Sequence, residues 1–527
     1  MAEMLSAGIY DREVDLSTVI AGLSTTTGAI VGEANRGPVD VPTLITSRTD
    51  FLNIFGEPTV GKYAMYTALQ FMEEANRLYF VRVVSDDAKF DGVKVLLDGT
   101  DNNEAFVTGP TSLPAAAPSG NELFFVFMKG QGEWGQNYGL SIINYDDYNN
   151  LPDSEKTVFG DLVPNDSDEF IVGVYDKNEL TYNGMLYLVS RNPNKKDLWN
   201  RSMYIEDVIN NDSLAIIEVQ DGPYNYSGTW PESTLADSTT VSYVTFGGGA
   251  DGTAAGNSEV MAGWEHFENM ETYAVNILMS AGYTSVAVLN KIIDVTEMRT
   301  DAIAILDPDY SMNSVSSVVN WRKTTWNPNS SYICTYYPWI YVHDRYTDKQ
   351  FYLPPSGMVG AVFCYNDRVA EPWFAPAGFN RGIIRPLSLR HNATQGERDI
   401  LYLNGINPIV SFPGEGIVVW GQKTLQSRPS AFDRVNVRRL MCVLRTSINK
   451  AMRYSLFEPN DYFTRKYITS ILESYLEDIV SRRGLYEFEV ICDTTNNTGE
   501  VIDRNELVID IGLQPVKTAE FIKISYI

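Results

Sequence analysis

Histidine is scarce in these 527 residues. His266, His343 and His391 stand in three separate segments, with no H-E-x-x-H and no Cys/His cluster around them. The sequence therefore predicts no zinc site. Cysteine is nearly as rare. Cys334, Cys364, Cys442 and Cys492 are far apart, lack C-x-x-C spacing and sit among apolar or helical neighbours. That is the usage of buried free thiols in a reducing compartment. Positive charge is short as well: 41 Lys+Arg oppose 67 Asp+Glu, a net charge of −26. A chain with pI near 4.5 is not built to wrap nucleic acid, whose phosphates demand a basic surface. No apolar run approaches the ~18 residues of a membrane span. The opening MAEMLSAGIYDREVD has no basic stretch leading into an apolar one, so no signal peptide is expected. The expectation is a soluble protein made in a cytoplasm.

Catalytic patterns are missing too. GGGADGTAAG (Gly247–Gly256) is the one candidate phosphate loop, but no Lys-hydroxyl pair follows it and its glycine spacing is not that of a dinucleotide fingerprint. It reads as a structural turn. No G-x-S-x-G supplies a nucleophile elbow. Carboxylate pairs such as Asp86-Asp87 and Asp146-Asp147 carry little information in so acidic a chain. No cofactor, metal or catalytic residue is assigned.

What the chain does have is ample length and a globular balance, 44% hydrophobic and 20% charged, enough for roughly three or four domains. Residues 1–20 read as an extended arm, in which Ile9, Tyr10 and Val14 must pair with another segment or another copy. Residues 21–85 alternate strand, turn, helix and strand, as in an α/β layer. Residues 86–185 change character: short β runs (Val93–Leu97, Leu123–Met128, Leu140–Ile143, Phe170–Tyr175) lie between Gly/Pro/Ser/Asn/Asp-rich loops. This predicts a small β domain nested within the α/β domain. The latter is expected to resume at Leu186–Ser190 and to run through residues 186–354 with repeated βα units, hence a partly parallel sheet. The fold class expected is α/β and α+β multidomain, with residues 355–527 an inner α+β core. Its last segment, Glu520–Ile527, is a terminal strand containing Phe521, Ile522, Ile524 and Tyr526.

The organising stretch is Glu371–Arg483. A Pro/Gly/aromatic loop opens it, and Gln395–Tyr402 is short and mixed. Ile406–Phe412 and Ile417–Trp420 flank Pro413-Gly414 as strand, turn and strand. From Val437 the period becomes helical, with Val437, Leu440, Met441, Leu444, Ile448, Ala451 and Met452 on one stripe. Arg438, Arg439, Arg445, Lys450 and Arg453 lie on the flanks and opposite side. Arg428 to Arg483 holds 11 Lys+Arg and 6 Asp+Glu, locally +5 in a chain of −26. Such a face is either solvated or docks an acidic partner.

PWFAPAGFNRG, NATQGERD with INPIV, PGEGIVVWGQKTL, FDRVNVRRL and FEPND occur in that order. Together they resemble the C-terminal core of contractile phage tail sheath proteins, most closely those of T-even-type phages. GPVDVPTLITSRTDFLNIFGEP and TFGGGADG extend the resemblance over most of 1–85 and 186–527, while it is weak across 90–180. GEWGQNYGLSI resembles a family turn but has Gln136 where Asn is usual.

The resemblance implies a virion structural subunit, assembled in the host bacterial cytoplasm, that stacks as hexameric rings around a tail tube and contracts during genome delivery. It implies partners in other copies, the tube protein, and baseplate and tail terminator proteins, with no direct nucleic-acid contact or membrane insertion. Ile9, Tyr10, Val14, Phe521, Ile522, Ile524 and Tyr526 are expected to exchange strands between subunits. Arg438, Arg445, Lys450 and Arg453 are expected to point outward and dock the tube. The alternative reading is an enzyme, a large α/β hydrolase with a decorating β domain.

Overall fold

A computed structural model describes residues 26–99, 102–113, 118–182, 185–212, 215–223, 230–237 and 239–520. At its centre is a nine-stranded sheet. Its order is Ile383–Ile384, Gly416–Val419, Ile406–Phe412, Ile333–Tyr337, Ile303–Leu306, Ile277–Met279, Thr27–Gly32, Arg77–Arg82 and Thr43–Ile45. The pairings from Ile406–Phe412 through Arg77–Arg82 are parallel, and antiparallel strands close both edges. TGAIVG, ILM, IAIL and ICTYY are buried at every position. Continuous apolar runs of this kind need cover on both faces, and helices supply it.

On one face, helices Tyr63–Phe71 and Ser356–Val369 bury Met65, Phe71, Val359 and Phe363 together with Phe51, Phe55 and Phe80. On the other, helices Asn257–Glu265 and Val286–Arg299 bury Trp264, Val288, Leu289 and Ile292. Gly360 permits a close approach of helix to sheet. A Cβ there would meet Met279 Sδ and the Phe71 ring, each at 2.8 Å, so a side chain would push the helix off the sheet.

After Arg82 the chain leaves this sheet and returns to it only at Ile277. Between lie two four-stranded sheets that share a core of Val93, Phe124, Val126, Leu140, Phe170 and Val172, with Phe124 and Phe170 stacked at 5.9 Å. Here the sequence reading needs correction. Leu186–Ser190 does not rejoin the α/β layer. It pairs antiparallel with Glu169–Asp176, and Ile217–Asp221 pairs with Glu122–Met128. The boundary expected at 185 thus falls inside a β hairpin. LYLVS satisfies any half-buried strand, and its composition does not name its neighbour. The break expected at 354 also fails to separate sheets, because Ile383–Ile384, Ile406–Phe412 and Gly416–Val419 extend the large one.

One buried cation joins these bodies. Arg82, 1% exposed, donates to the carbonyls of Ala34, Gly37 and Gln131 at 3.3, 2.7 and 2.7 Å. Arg191 and Asp221 form an equally buried pair at 2.7 Å within the β region.

The C-terminal unit stands at the foot of the large sheet, where its parallel strands begin. Helices Val435–Met452 and Tyr462–Ser481 pack with Trp373 and the hairpin of Leu485–Ile491 and Asp510–Pro515. Leu440, Leu444, Leu476, Ile479 and Leu485 form its core. Gln395–Leu403, read from sequence as mixed, is a helix. Its start carries a capping box in which Glu397 accepts from the backbone and hydroxyl of Thr394.

Candidate assembly surface

The basic helix is held on two sides. Its apolar stripe inserts Leu440 and Leu444 into the C-terminal core, and Val435 reaches the core of the large sheet. On the sheet side Arg439 meets Asp367 of the Ser356–Val369 helix at 2.8 and 2.6 Å, both side chains 5% exposed. Arg434, which precedes the helix, grips Glu520 through Nε and Nη2 at 2.7 and 2.9 Å. Tyr402 and Gln422 also donate to Glu520.

This packing overturns one expectation. Arg438 does not point outward. It is 9% exposed, donates to Ser331 Oγ and stacks over the rings of Tyr332 and Phe432 at 4.0 and 4.3 Å. The helix is clamped on more of its circumference than a single apolar stripe implies, and a guanidinium between aromatic faces tolerates that burial. Burial also lowers its pKa.

Arg445, Lys450 and Arg453 do reach the surface, and they converge. With Arg77, Glu271 and Thr300 they line a crevice of about 340 Å³ at the foot of strands Thr27–Gly32, Ile277–Met279 and Ile303–Leu306. Arg453 shares an exposed contact with Glu271 at 3.2 Å. Arg77, Arg445 and Lys450 have no ion-pair partner among the described residues. The crevice therefore presents cations without their counter-charges, on a chain that is otherwise strongly acidic.

Two further surfaces border this unit. The hairpin Leu485–Ile491/Asp510–Pro515 is a two-stranded sheet whose Phe488, Val490, Ile511 and Leu513 rest on the core. Among the described residues no third strand pairs with it, so both outer edges keep backbone groups available for strand addition. The strand-exchange candidates Ile9, Tyr10, Val14, Phe521, Ile522, Ile524 and Tyr526 lie outside the described residues. The second surface was missed by sequence reading. The turn between the two long helices exposes Tyr454, Leu456, Phe457, Tyr462 and Phe463, with Phe457 wholly in solvent at φ +69°. Its signal was available in YSLFEPNDYF, an apolar run with a proline that continues neither helix's period.

Among the described residues no comparable concentration of chemistry marks an active site. Gly247–Gly256 folds back on the β region, and Asp91 accepts from the backbone of Gly249 and Gly135 at 2.8 and 2.9 Å. Those amides are already engaged within the fold. Each histidine faces a single carboxylate: His266 Asp40, His343 Asp348 and His391 Glu397. Among the described residues no three His, Cys, Asp or Glu side chains gather as metal ligands. Cys334, Cys364, Cys442 and Cys492 are all buried and free.

Unpaired hairpin edges, an exposed apolar turn and a basic crevice on an acidic chain are features suited to a subunit that assembles with others. The chain belongs to the phage tail sheath family. Residues 25–83 match the N-terminal region of domain III of tail sheath protein Gp18, 253–425 the phage tail sheath protein central domain, and 427–526 the phage tail sheath C-terminal domain. The tail sheath protein of Vibrio phage KVP40 is 28% identical across 99% of this chain and 98% of its own. That of Enterobacteria phage T4 is 26% identical across 99% and 97%. In fold, the chain is similar to a sheath tail protein from Listeria innocua, with TM-score 0.56, 11% identity and 94% and 96% coverage. It is also similar to the contracted sheath of an extracellular contractile injection system, with TM-score 0.54, 15% identity and 100% and 98% coverage. The protein is a structural subunit of a contractile sheath and a component of the virion tail, not an enzyme. The hydrolase reading is set aside.

Proposed function

We propose that copies of this chain stack as six-fold rings around a tail tube and that contraction moves each copy as a rigid body. The innermost surface is the C-terminal unit. Its crevice cations Arg445, Lys450 and Arg453 meet acidic groups of the tube, while baseplate and terminator proteins cap the ends of an assembly built in the host cytoplasm. Residues 1–20 and 521–527 of neighbouring copies add strands to the free edges of the Leu485–Ile491/Asp510–Pro515 hairpin, which is β-augmentation. These linkers hold the mesh together while subunits rotate.

The observation that carries the tube contact is the cluster of uncompensated cations on a chain of net charge −26. An electrostatic contact suits the task, because it is released on contraction without unfolding anything. Arg438, buried between Tyr332 and Phe432, is assigned to holding the helix instead. The test is assembly with purified tubes. Charge reversal at Arg445, Lys450 and Arg453 abolishes extended sheath on the tube, as seen by electron microscopy. Normal extended tails from that variant would remove the crevice from the mechanism.

A further inference from the structure

The basic crevice opens beside the start of the strand Thr27–Gly32. Thr27 lies in its wall, and Thr27 is where residues 1–25 join the large sheet. Those residues, MAEMLSAGIYDREVDLSTVIAGLST, contain Glu3, Asp11, Glu13 and Asp15 against a single basic side chain, Arg12. Asp15 is twelve residues from Thr27 and Glu3 twenty-four, so even a partly extended segment reaches every cation of the crevice at about 3.3 Å per residue. Arg77, Arg445 and Lys450 have no carboxylate partner among the described residues, and Arg453 has only the exposed Glu271.

We propose that in the unassembled subunit this acidic segment lies along the crevice of its own chain, with Asp11, Glu13 and Asp15 opposite Arg445, Lys450 and Arg453. The contact covers two surfaces at once. It withholds the cations from acidic partners, and it holds Ile9, Tyr10 and Val14 away from the free hairpin edges of other copies. A tube that presents carboxylates to the same cations displaces the segment by competition. Docking then releases the arm for strand addition, and polymerisation is favoured on the tube over free solution. The exchange is a difference of affinities for one site. The inference rests on the crevice being an anion-docking face, but its test involves no tube. Its failure would leave the tube contact standing, and failure of tube docking would leave the folded-back arm standing.

The test uses tryptic cleavage after Arg12 in the full-length protein, diluted until sedimentation shows monomers only, with a synthetic peptide of residues 1–25 as the unprotected reference. In low salt the intact protein is expected to be cut at Arg12 about tenfold more slowly than the peptide, a factor within reach of three surface ion pairs of ordinary strength. R445E/K450E/R453E, whose arm sequence is unchanged, is expected to be cut at the peptide's rate. Salt titration of the unsubstituted protein reads the same contact without any substitution, and protection is expected to fade toward 1 M, where the Debye length is about 3 Å. Cleavage of the unsubstituted protein at the peptide's rate in low salt would overturn the proposal. So would protection that survives both the triple reversal and high salt.

Discussion

Arg439 and Asp367 form a buried, two-point ion pair that fastens the basic helix to the helix covering the large sheet. Two charges taken from water stabilise a fold only when their geometry is good and both remain paired, and this pair meets those conditions. Burial alone would push the Arg439 pKa down, yet the adjacent Asp367 carboxylate holds it above its ordinary value. The crevice-bearing helix is thereby fastened to the helix that covers the sheet, a link that the rigid-body contraction proposed above would need.

Removing one partner therefore strands a charge. Arg439→Met is expected to destabilise the subunit by about 3–5 kcal/mol, and Arg439→Met with Asp367→Leu by much less, because the double change leaves no buried ion. Urea unfolding of the unassembled subunit measures both. Equal losses for the single and double variants would show that packing, not the pair, fastens the helix.

Asp307 makes a second buried carboxylate prediction. It is fully buried and accepts from Ser280 Oγ, from the backbone of Gly282 and Ser356, and from Ser356 Oγ. Desolvation outweighs those bonds and raises its pKa to about 6. The folded state thus holds this proton more tightly than the unfolded chain, where Asp titrates near 3.9. Its contribution to stability is fully present below about pH 4 and is lost as pH rises through about 6. Asp307→Asn forfeits a hydrogen bond at every pH, so the diagnostic is the slope. Between pH 4 and 6.5 the substitution should remove one falling component from the plot of unfolding free energy against pH. Parallel curves would mean that Asp307 stays ionised throughout.

Arg82 ties the large sheet's exit loop to the β region using carbonyl acceptors alone. Arg82→Met leaves the Ala34, Gly37 and Gln131 carbonyls without this donor, and unsatisfied buried acceptors cost about 1–3 kcal/mol each. The expected outcome is a lower melting temperature together with faster proteolysis between residues 83 and 135, while the large sheet remains protected. Uniform protection in hydrogen exchange would count against a joint at Arg82.

The arms give a third test of assembly. Cutting the chain after Glu520 spares the Arg434–Glu520 clasp, so the subunit should fold with unchanged melting temperature. Polymers should nevertheless be short or absent, as they should be when residues 1–16 are deleted, because one strand is missing from a shared sheet. Full-length sheaths from either truncation, measured by electron microscopy, would exclude strand exchange.

How much of this was legible depended on whether a signal was local. IAIL and ICTYY announce doubly covered strands because nearly every residue is apolar or aromatic, and a parallel sheet follows from the βα alternation around them. LYLVS announces a strand equally well, but nothing in its composition says that it turns back on Glu169–Asp176 rather than joining the large sheet. The helix Gln395–Leu403 was readable in its Thr394/Glu397 box and was missed because its apolar positions are few. Arg438, Arg439 and Arg445 look alike in sequence. Tertiary packing makes the first an aromatic-stacked core residue, the second half of a buried pair, and only the third a surface cation.

That distinction yields the most discriminating prediction about the tube. Two charge reversals on one helix should fail in different ways. Arg438→Glu places a carboxylate against the Tyr332 and Phe432 rings in a buried site, so the subunit should unfold or aggregate before assembly becomes a question. R445E/K450E/R453E changes only exposed side chains, so melting temperature should move little. Each surface pair contributes modestly and is screened by salt, but copies repeated around and along a tube add in one direction. The triple variant should therefore fail to form extended sheath on tubes while retaining self-polymerisation, including direct growth of contracted-type cylinders. Raising salt should weaken the attachment of unsubstituted sheath to tube in the same sense, as the Debye length falls below about 8 Å. The measurement is electron microscopy of tubes mixed with each variant, scored beside calorimetry of the free subunits. If the triple variant decorates tubes normally, the three cations are solvated and the crevice plays no part in docking. If Arg438→Glu folds normally and alone abolishes decoration, the inward-facing placement of that side chain is the element to revise.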